Sequence, residues 1–213
     1  YQLLKPCQSL FKLSKMKQPD LENFVGIHNR KYCDGGQCIR LYKTFMKKKD
    51  PEAANIVMGH NEEDLLGLGT IFSLLAYKKL YDGEYHPKQC VILEQELKIV
   101  IELSAAAPVN VSCGNSDFYL SVNGYEARML VHLKEGKLRQ YYRNYKDYEF
   151  IPGEDTAMPK SITRYMDKSL KIATTPQTCY TWFNCDEDFL NNEKKQMQYL
   201  THTLPFFLDN LNK

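Results

Sequence analysis

The segment His60-Asn61-Glu62-Glu63-Asp64-Leu65-Leu66-Gly67 decides how the first part of this chain is interpreted. It places a histidine and a carboxylate four residues apart, at the start of a strongly apolar stretch. On a helix this spacing brings both side chains to one face, where they can serve a single site. A solvated i, i+4 pair is the simpler interpretation, so the surrounding sequence has to decide between the two.

The surrounding residues follow helical periodicity across residues 1–87. Asp50 followed by Pro51 is typical of a helix start, since an aspartate caps the free N–H groups and proline suits the first turn. Two interpretations of the next stretch are open. A single helix can continue through Gly59, or it can break there so that Asn61 caps a new helix, and the break is favoured.

Composition sets limits on the whole chain. Its 213 residues are 43% hydrophobic, which predicts one large or two small folded domains. The net charge of +2 is too balanced to require a nucleic-acid partner through bulk electrostatics, so any basic surface must be local. No long apolar run or leader pattern is seen, so we expect no membrane span. The start at Tyr1 rather than methionine predicts a processed chain or a fragment.

Seven cysteines are scattered along the chain. The spacings Cys33-x4-Cys38 and Cys179-x5-Cys185 are looser than those of most zinc knuckles. Free thiols in a reducing cytoplasm are therefore the favoured interpretation, with a structural zinc site as the alternative.

The second part of the chain has a different periodicity. Apolar and polar residues alternate across residues 90–151, which predicts an antiparallel meander of about five strands. Asn123-Gly124 and Glu135-Gly136 lie where hairpin turns are expected. Helical periodicity returns at 156–170 and again at 186–211, with a short strand at 179–183 between them. The predicted fold class is therefore α+β.

Aromatic and basic residues interleave near the end of the predicted meander. Tyr141 and Tyr142 lie between Arg139 and Arg143. Aromatic rings beside cations hold single-stranded nucleic acids without sequence preference, so these four residues are candidates for nucleic-acid binding. The alternative is that a β-rich domain simply buries its aromatic side chains.

Three segments in order, residues 17–27, 34–42 and 60–67, together resemble the second half of bacterial predicted 3′–5′ exonucleases with a ribonuclease H-like fold. These proteins belong to a group built on four acidic residues, the DEDD type. The resemblance covers about residues 1–85. Residues 151–161 also resemble the C-terminal extension of such proteins, for which no chemistry is assigned.

The resemblance implies an organisation and a site. Residues 1–87 would form a helical segment that completes a ribonuclease H-like fold, and residues 88–213 would form an α+β accessory domain. Asp64 would bind a divalent ion, Mg²⁺ or Mn²⁺, and His60 would orient or deprotonate the attacking water. Many relatives carry a tyrosine where this chain has His60.

The resemblance also implies that the chain holds only one corner of a two-metal site. The first acidic residues of the family lie on strands that precede the matched segments, and no Asp-x-Glu on an apolar strand is found here. We therefore expect part of a metal-dependent exonuclease for single-stranded DNA or RNA ends, inactive without an N-terminal half. A non-enzymatic nucleic-acid-binding or protein-interaction module is the alternative. Helices made to cover a sheet would expose apolar surface if that sheet were missing.

Overall fold

The computed structural model describes residues 1–28, 30–32 and 34–211, and its first part is helical. The elements are a 3₁₀ helix at Gln2–Cys7, α1 (Gln8–Phe11), α2 (Gln18–Phe24), α3 (Gly35–Lys48), α4 (Pro51–Ile71), a 3₁₀ turn at Phe72–Leu74 and α5 (Leu75–Asp82). Helices α3 and α4 form an antiparallel pair, and α2 packs beside α4.

Helix α4 is continuous, so the predicted break at Gly59 is wrong. The helix begins as expected, because the Asp50 carboxylate accepts a hydrogen bond from the Glu52 N–H at 3.0 Å and Pro51 occupies the first turn. Glycine weakens a helix by about 1 kcal/mol relative to alanine, which a long, packed helix tolerates. Gly59 is retained inside the helix because the ring of Tyr32 lies against it.

All strand pairings among the described residues are antiparallel. The strands are β1 (Tyr85–Leu93), β2 (Glu96–Gly114), β3 (Phe118–His132), β4 (Lys137–Tyr141), β5 (Tyr148–Ile151), β6 (Thr156–Pro159), β7 (Ile172–Ala173) and β8 (Tyr180–Asn184). They form three sheets, in the orders β1-β2-β3, β4-β8 and β6-β5-β7.

The single five-stranded meander predicted at 90–151 is therefore wrong beyond β3. The Glu135-Gly136 turn is confirmed, with φ angles of +52° and +74° at these two residues. Around this turn, an isolated bridge joins Lys134 and Lys137. β4 does not go on to pair with β3, so it is not part of the β1-β2-β3 sheet. β4 pairs instead with β8, the strand predicted at 179–183, which the local alternation of residues could not indicate.

The predicted turn at Asn123-Gly124 is also wrong, because β3 runs straight through it. Gly124 has a φ angle of +55° and pairs with Ala107, and the register between β2 and β3 shifts on both sides of this pair. Buried residues in β3 are even-numbered before Gly124 and odd-numbered after it: Phe118, Leu120, Val122, then Ala127, Met129, Val131. A β-bulge thus keeps both apolar sets on the core face of one strand.

Neither of the two predicted C-terminal helices, at 156–170 and 186–211, is a single helix in the structure. Residues 156–170 form β6, a short α6 (Lys160–Thr163) and a 3₁₀ helix at Lys168–Leu170 rather than one helix. Residues 186–211 form two helices, α7 (Glu187–Leu190) and α8 (Glu193–Asp209). The second is separate because the Asn192 side chain caps it, accepting a hydrogen bond from the Lys195 N–H at 3.3 Å.

One hydrophobic core contains residues from both parts of the chain, and the α+β class is confirmed. Tyr77 of α5 is fully buried, packs edge-on against Phe11 at 5.0 Å and donates a hydrogen bond to the Val109 carbonyl. Phe118 of β3 stacks on Phe207 of α8 at 4.1 Å. The domain boundary between residues 87 and 88 stays a prediction.

Helices α3 and α4 present an apolar surface to solvent. No described residue of α3 is buried. We call the following exposed side chains the α3–α4 apolar stripe: Ile39, Tyr42, Met46, Met58, Leu65, Leu66 and Phe72. Met58 and Leu65 of α4 are seven residues apart and so share one face, and Phe72 follows at the same spacing in the adjoining 3₁₀ turn. In the described part of the chain, no helix has the length and apolar character needed to cross a membrane.

Candidate functional site

Helix α4 places His60 and Asp64 one turn apart, with His60 Nε2 at 3.5 Å from Asp64 Oδ2. The two side chains differ in exposure: that of His60 is 10% exposed, whereas that of Asp64 is 36% exposed. The predicted pair is therefore a buried imidazole beside a carboxylate that solvent can reach. Its catalytic and metal-binding roles stay predictions.

A third residue, Arg30, joins this pair to α2. Its guanidinium places Nη1 at 2.7 Å from Asp64 Oδ1, and it donates two hydrogen bonds to the Glu22 carboxylate at 2.7 and 2.8 Å. This two-bond geometry is the strongest way in which arginine holds a carboxylate. Arg30 thus clamps α2 against α4 directly beside the predicted site.

Glu22 is the buried member of the cluster, with a side chain only 3% exposed. Gln18 donates to its Oε1 at 2.8 Å and to the Asp64 carbonyl at 2.9 Å. The hydrogen bonds from Arg30 hold the pKa of Glu22 below its ordinary value, and Glu22 in turn raises the pKa of Arg30. Because the Glu22 carboxylate is buried away from water, its ionised form is stable only while Arg30 remains paired with it.

Two glycines of α4 allow the neighbouring segments to approach. A Cβ at Gly67 would lie 2.0 Å from Glu22 Oε1, and one at Gly59 would lie 2.3 Å from Cζ of Tyr32. Glu63 accepts hydrogen bonds from the backbone N–H groups of residues 31 and 32, at 2.8 and 3.2 Å. The stretch around His60 and Asp64 is therefore also the docking surface for the loop that carries Arg30.

The buried Nδ1 atom of His60 has no hydrogen-bond partner within the described ranges. Buried polar atoms are nearly always paired in folded proteins, so an unpaired one marks a place where a further group is expected. His60 therefore lies where an additional polar partner could complete the site.

Residues 1–28, 30–32 and 34–211 contain no group of three or more His, Cys, Asp or Glu side chains able to hold a metal ion. Asp64 fits one position of an oxygen-ligated centre, but these residues alone do not fit a whole one. Cys179 and Cys185 are free and buried, and burial raises the pKa of each thiol to about 11. Cys33, of the other predicted cysteine pair, lies outside the described residues.

The tyrosines of the predicted nucleic-acid surface have different environments. Tyr141 is buried, and its ring stacks on Phe206 at 3.7 Å. Tyr142 is half-buried, accepts a hydrogen bond from Gln140 at 2.9 Å and stacks on Tyr148 at 5.2 Å. Tyr141 thus contributes to the core and presents no free ring face.

The two arginines of that surface are held by contacts within the chain. The Arg139 guanidinium lies over the rings of Tyr180 and Trp182, at 4.5 and 4.6 Å. Arg143 lies over the Tyr81 ring at 4.8 Å and pairs with Asp209 at 3.2 Å. The structure does not assemble these residues into one open platform, and their binding role stays a prediction.

The lowered pKa of Glu22 predicts how the free energy of unfolding depends on pH. Its pKa is lowered in the folded state, so its contribution is fully present above the ordinary value of 4.5 and is lost as the pH falls through the folded pKa. We expect the free energy of unfolding to fall more steeply below about pH 4.5 in the native chain than in Glu22→Gln. Urea unfolding at a series of pH values measures this difference, and parallel curves would contradict the assignment.

A family model described as the RNase H superfamily matches residues 1–76. This range contains α1 to α4 and the Glu22, Arg30, His60 and Asp64 side chains. The match supports a ribonuclease H-like fold and points to a nuclease-type function. The chain has no match among the curated proteins or the solved structures.

Proposed function

We propose that this chain is the C-terminal portion of a metal-dependent 3′–5′ exonuclease that hydrolyses the ends of single-stranded DNA or RNA. The observation that carries the proposal is the His60–Asp64 pair, which lies inside the range matched by the RNase H superfamily model. The exposed carboxylate beside a buried imidazole supports a site that handles water and a cation together.

Phosphodiester hydrolysis needs a deprotonated water and neutralisation of the charge on phosphate, and two bound Mg²⁺ or Mn²⁺ ions supply both. Asp64 offers a hard carboxylate oxygen of the type that these ions prefer. His60 is placed beside it to orient a water molecule or accept its proton, a task that suits an imidazole at neutral pH. The other ligands would have to come from a preceding segment of the protein.

The α3–α4 apolar stripe supports the existence of that segment. Several large apolar side chains exposed on neighbouring helices are typical of a surface that another structural layer covers. The N-terminal half of a ribonuclease H-like domain is the partner implied by the resemblance, and its sheet would cover Met58, Leu65 and Phe72. His60 and Asp64 lie on a different face of α4 from these three side chains, because a helix has 3.6 residues per turn. The stripe therefore supports a covering layer, and the ligands of Asp64 would have to approach from another side.

The proposal requires a change at Arg30. Its Nη1 group occupies one oxygen of Asp64, and that contact must be released before the same oxygen can bind a cation. The two hydrogen bonds to Glu22 can persist, because they use other nitrogens of the guanidinium. Arg30 therefore holds Asp64 in position without a metal and would shift when an ion binds.

Hydrolysis of a 5′-labelled single-stranded oligonucleotide in Mn²⁺ tests the proposal. In a protein that contains this chain and the preceding half, Asp64→Asn should lower the rate by about 100-fold or more, since loss of even outer-shell groups costs up to that amount. Glu62→Gln is the matched control, because Glu62 is exposed on the same helix. This chain alone should be inactive. Full activity of Asp64→Asn would reject the metal role and favour the non-enzymatic alternative.

A further inference from the structure

A basic cavity of about 580 Å³ is lined by residues between positions 145 and 174. Four lysines line it: Lys146, Lys160, Lys168 and Lys171. Tyr145, Tyr148 and Glu149 contribute further side chains, so the charged lining has four positive groups and one negative group. In a chain whose net charge is only +2, this is a local concentration of positive charge.

The four lysines come from separate elements that the fold brings together. Lys146 lies in the 3₁₀ helix Tyr145–Asp147, and Lys160 is the first residue of α6. Lys168 begins the next 3₁₀ helix, and Lys171 immediately precedes β7. Their convergence depends on β7 returning antiparallel to β5, where Phe150 pairs with Ile172.

Three of the lysines have no carboxylate within ion-pair distance in the described part of the chain: Lys146, Lys160 and Lys168. Lys171 differs, because its Nζ lies 2.8 Å from Glu149 and donates to the Thr163 carbonyl at 2.6 Å. Glu149 therefore pairs directly with the lysine that is fixed in the wall and interacts electrostatically with Lys160 as well. Lys146, Lys160 and Lys168 are exposed and can contact a ligand.

The wall of the cavity is held in place from within. The Thr174 hydroxyl lies 2.6 Å from the carbonyl oxygens of both Tyr145 and Tyr148, which ties the β7 end to the start of β5. The Tyr148 ring is supported by Tyr142, with the two rings nearly parallel and 5.2 Å apart. An aromatic ring beside exposed lysines is the combination that holds a nucleic-acid strand.

We propose that this cavity binds the phosphodiester backbone of a single-stranded nucleic acid. Lys146, Lys160 and Lys168 contact successive phosphates, and Tyr145 and Tyr148 provide apolar surface for sugars or bases. A phosphate-bearing ligand follows from the charge of the cavity alone. The choice of a nucleic-acid strand rests on the proposed function, and the separate origins of the lysines suit several phosphates better than one.

Fluorescence anisotropy with a short 5′-labelled oligothymidylate in EDTA measures binding without hydrolysis. The variant Lys146→Gln/Lys160→Gln/Lys168→Gln should bind about 10-fold or more weakly at low salt. The slope of log K against log salt should flatten by about 2, because each phosphate contact on a single strand contributes roughly 0.7.

The matched control is Lys15→Gln/Lys43→Gln/Lys194→Gln, which removes the same number of charges from exposed positions away from the cavity. It should retain most of the affinity. Equal losses in the two variants would overturn the site in favour of bulk charge. Equally strong binding of an uncharged methylphosphonate strand would exclude phosphate recognition, and equally strong competition by inorganic phosphate would show a small-anion site instead.

Two further measurements separate the proposed binding role from loss of folding and from loss of nuclease activity. Thermal unfolding of both triple variants should match that of the native chain, because all six lysines are exposed. Binding in EDTA does not require Asp64 or a metal, so failure of the nuclease assay leaves this result unchanged. Unchanged binding by the cavity variant would place strand recognition elsewhere and overturn the proposal.

Discussion

Replacement of Gly67 by alanine is expected to lower the free energy of unfolding by about 2–4 kcal/mol. A Cβ at this position would lie 2.0 Å from Glu22 Oε1 and 2.9 Å from its Cδ. Glu22 cannot simply swing away, because it is buried and held by hydrogen bonds from Arg30 and Gln18. Breaking a buried ion pair costs about 3–5 kcal/mol, and the better helix propensity of alanine returns up to about 1 kcal/mol.

Two other glycines of the same helix provide matched controls. Gly69 has open space where a Cβ would be, so Gly69→Ala should stabilise the chain by up to about 1 kcal/mol. At Gly59 the new methyl group would meet the ring of Tyr32, which is 40% exposed and free to rotate outward. Gly59→Ala should therefore change stability by no more than about 1 kcal/mol.

Urea unfolding followed by circular dichroism measures all three variants under one condition. The expected order of stability is Gly69→Ala, then Gly59→Ala, then Gly67→Ala. If Gly67→Ala were as stable as Gly69→Ala, the close approach of Glu22 to α4 would be contradicted.

Local signals in the sequence predicted the parts of the fold that depend on neighbouring residues. The Asp50 cap and the Glu135-Gly136 turn are set within a few residues, and both are confirmed. Asn123-Gly124 failed because this dipeptide suits a turn and a bulge alike, and only the opposite strand β2 distinguishes them. The pairing of β4 with β8 depends on residues some forty positions apart.

In the candidate site too, only residues close in sequence could be placed together by prediction. His60 and Asp64 could be placed together from the sequence because a single helical turn separates them. Glu22 and Arg30 lie on other segments, and a lone glutamate on a helix gives no sign that it will be buried. The only available signal was the pair of glycines at positions 59 and 67, since repeated glycines in a helix indicate close packing.

Replacement of Arg30 by alanine is expected to destabilise the chain by about 3–5 kcal/mol, the second large effect. The change would leave the Glu22 carboxylate buried with Gln18 as its main remaining partner. Most of the loss is expected from the uncompensated charge of Glu22, whose side chain is 3% exposed, compared with 25% for Arg30.

The double variant Glu22→Gln/Arg30→Ala separates this charge effect from lost packing. Because a neutral amide does not need the guanidinium, the double variant should be more stable than Arg30→Ala alone by about 1–3 kcal/mol. Unfolding measurements on the native chain, both single variants and the double variant give this coupling energy. Additive losses would show that Arg30 acts through packing. A favourable coupling would mean that Glu22 holds the guanidinium whose Nη1 contacts Asp64, so the arrangement of the candidate site depends on a buried carboxylate of the neighbouring helix α2.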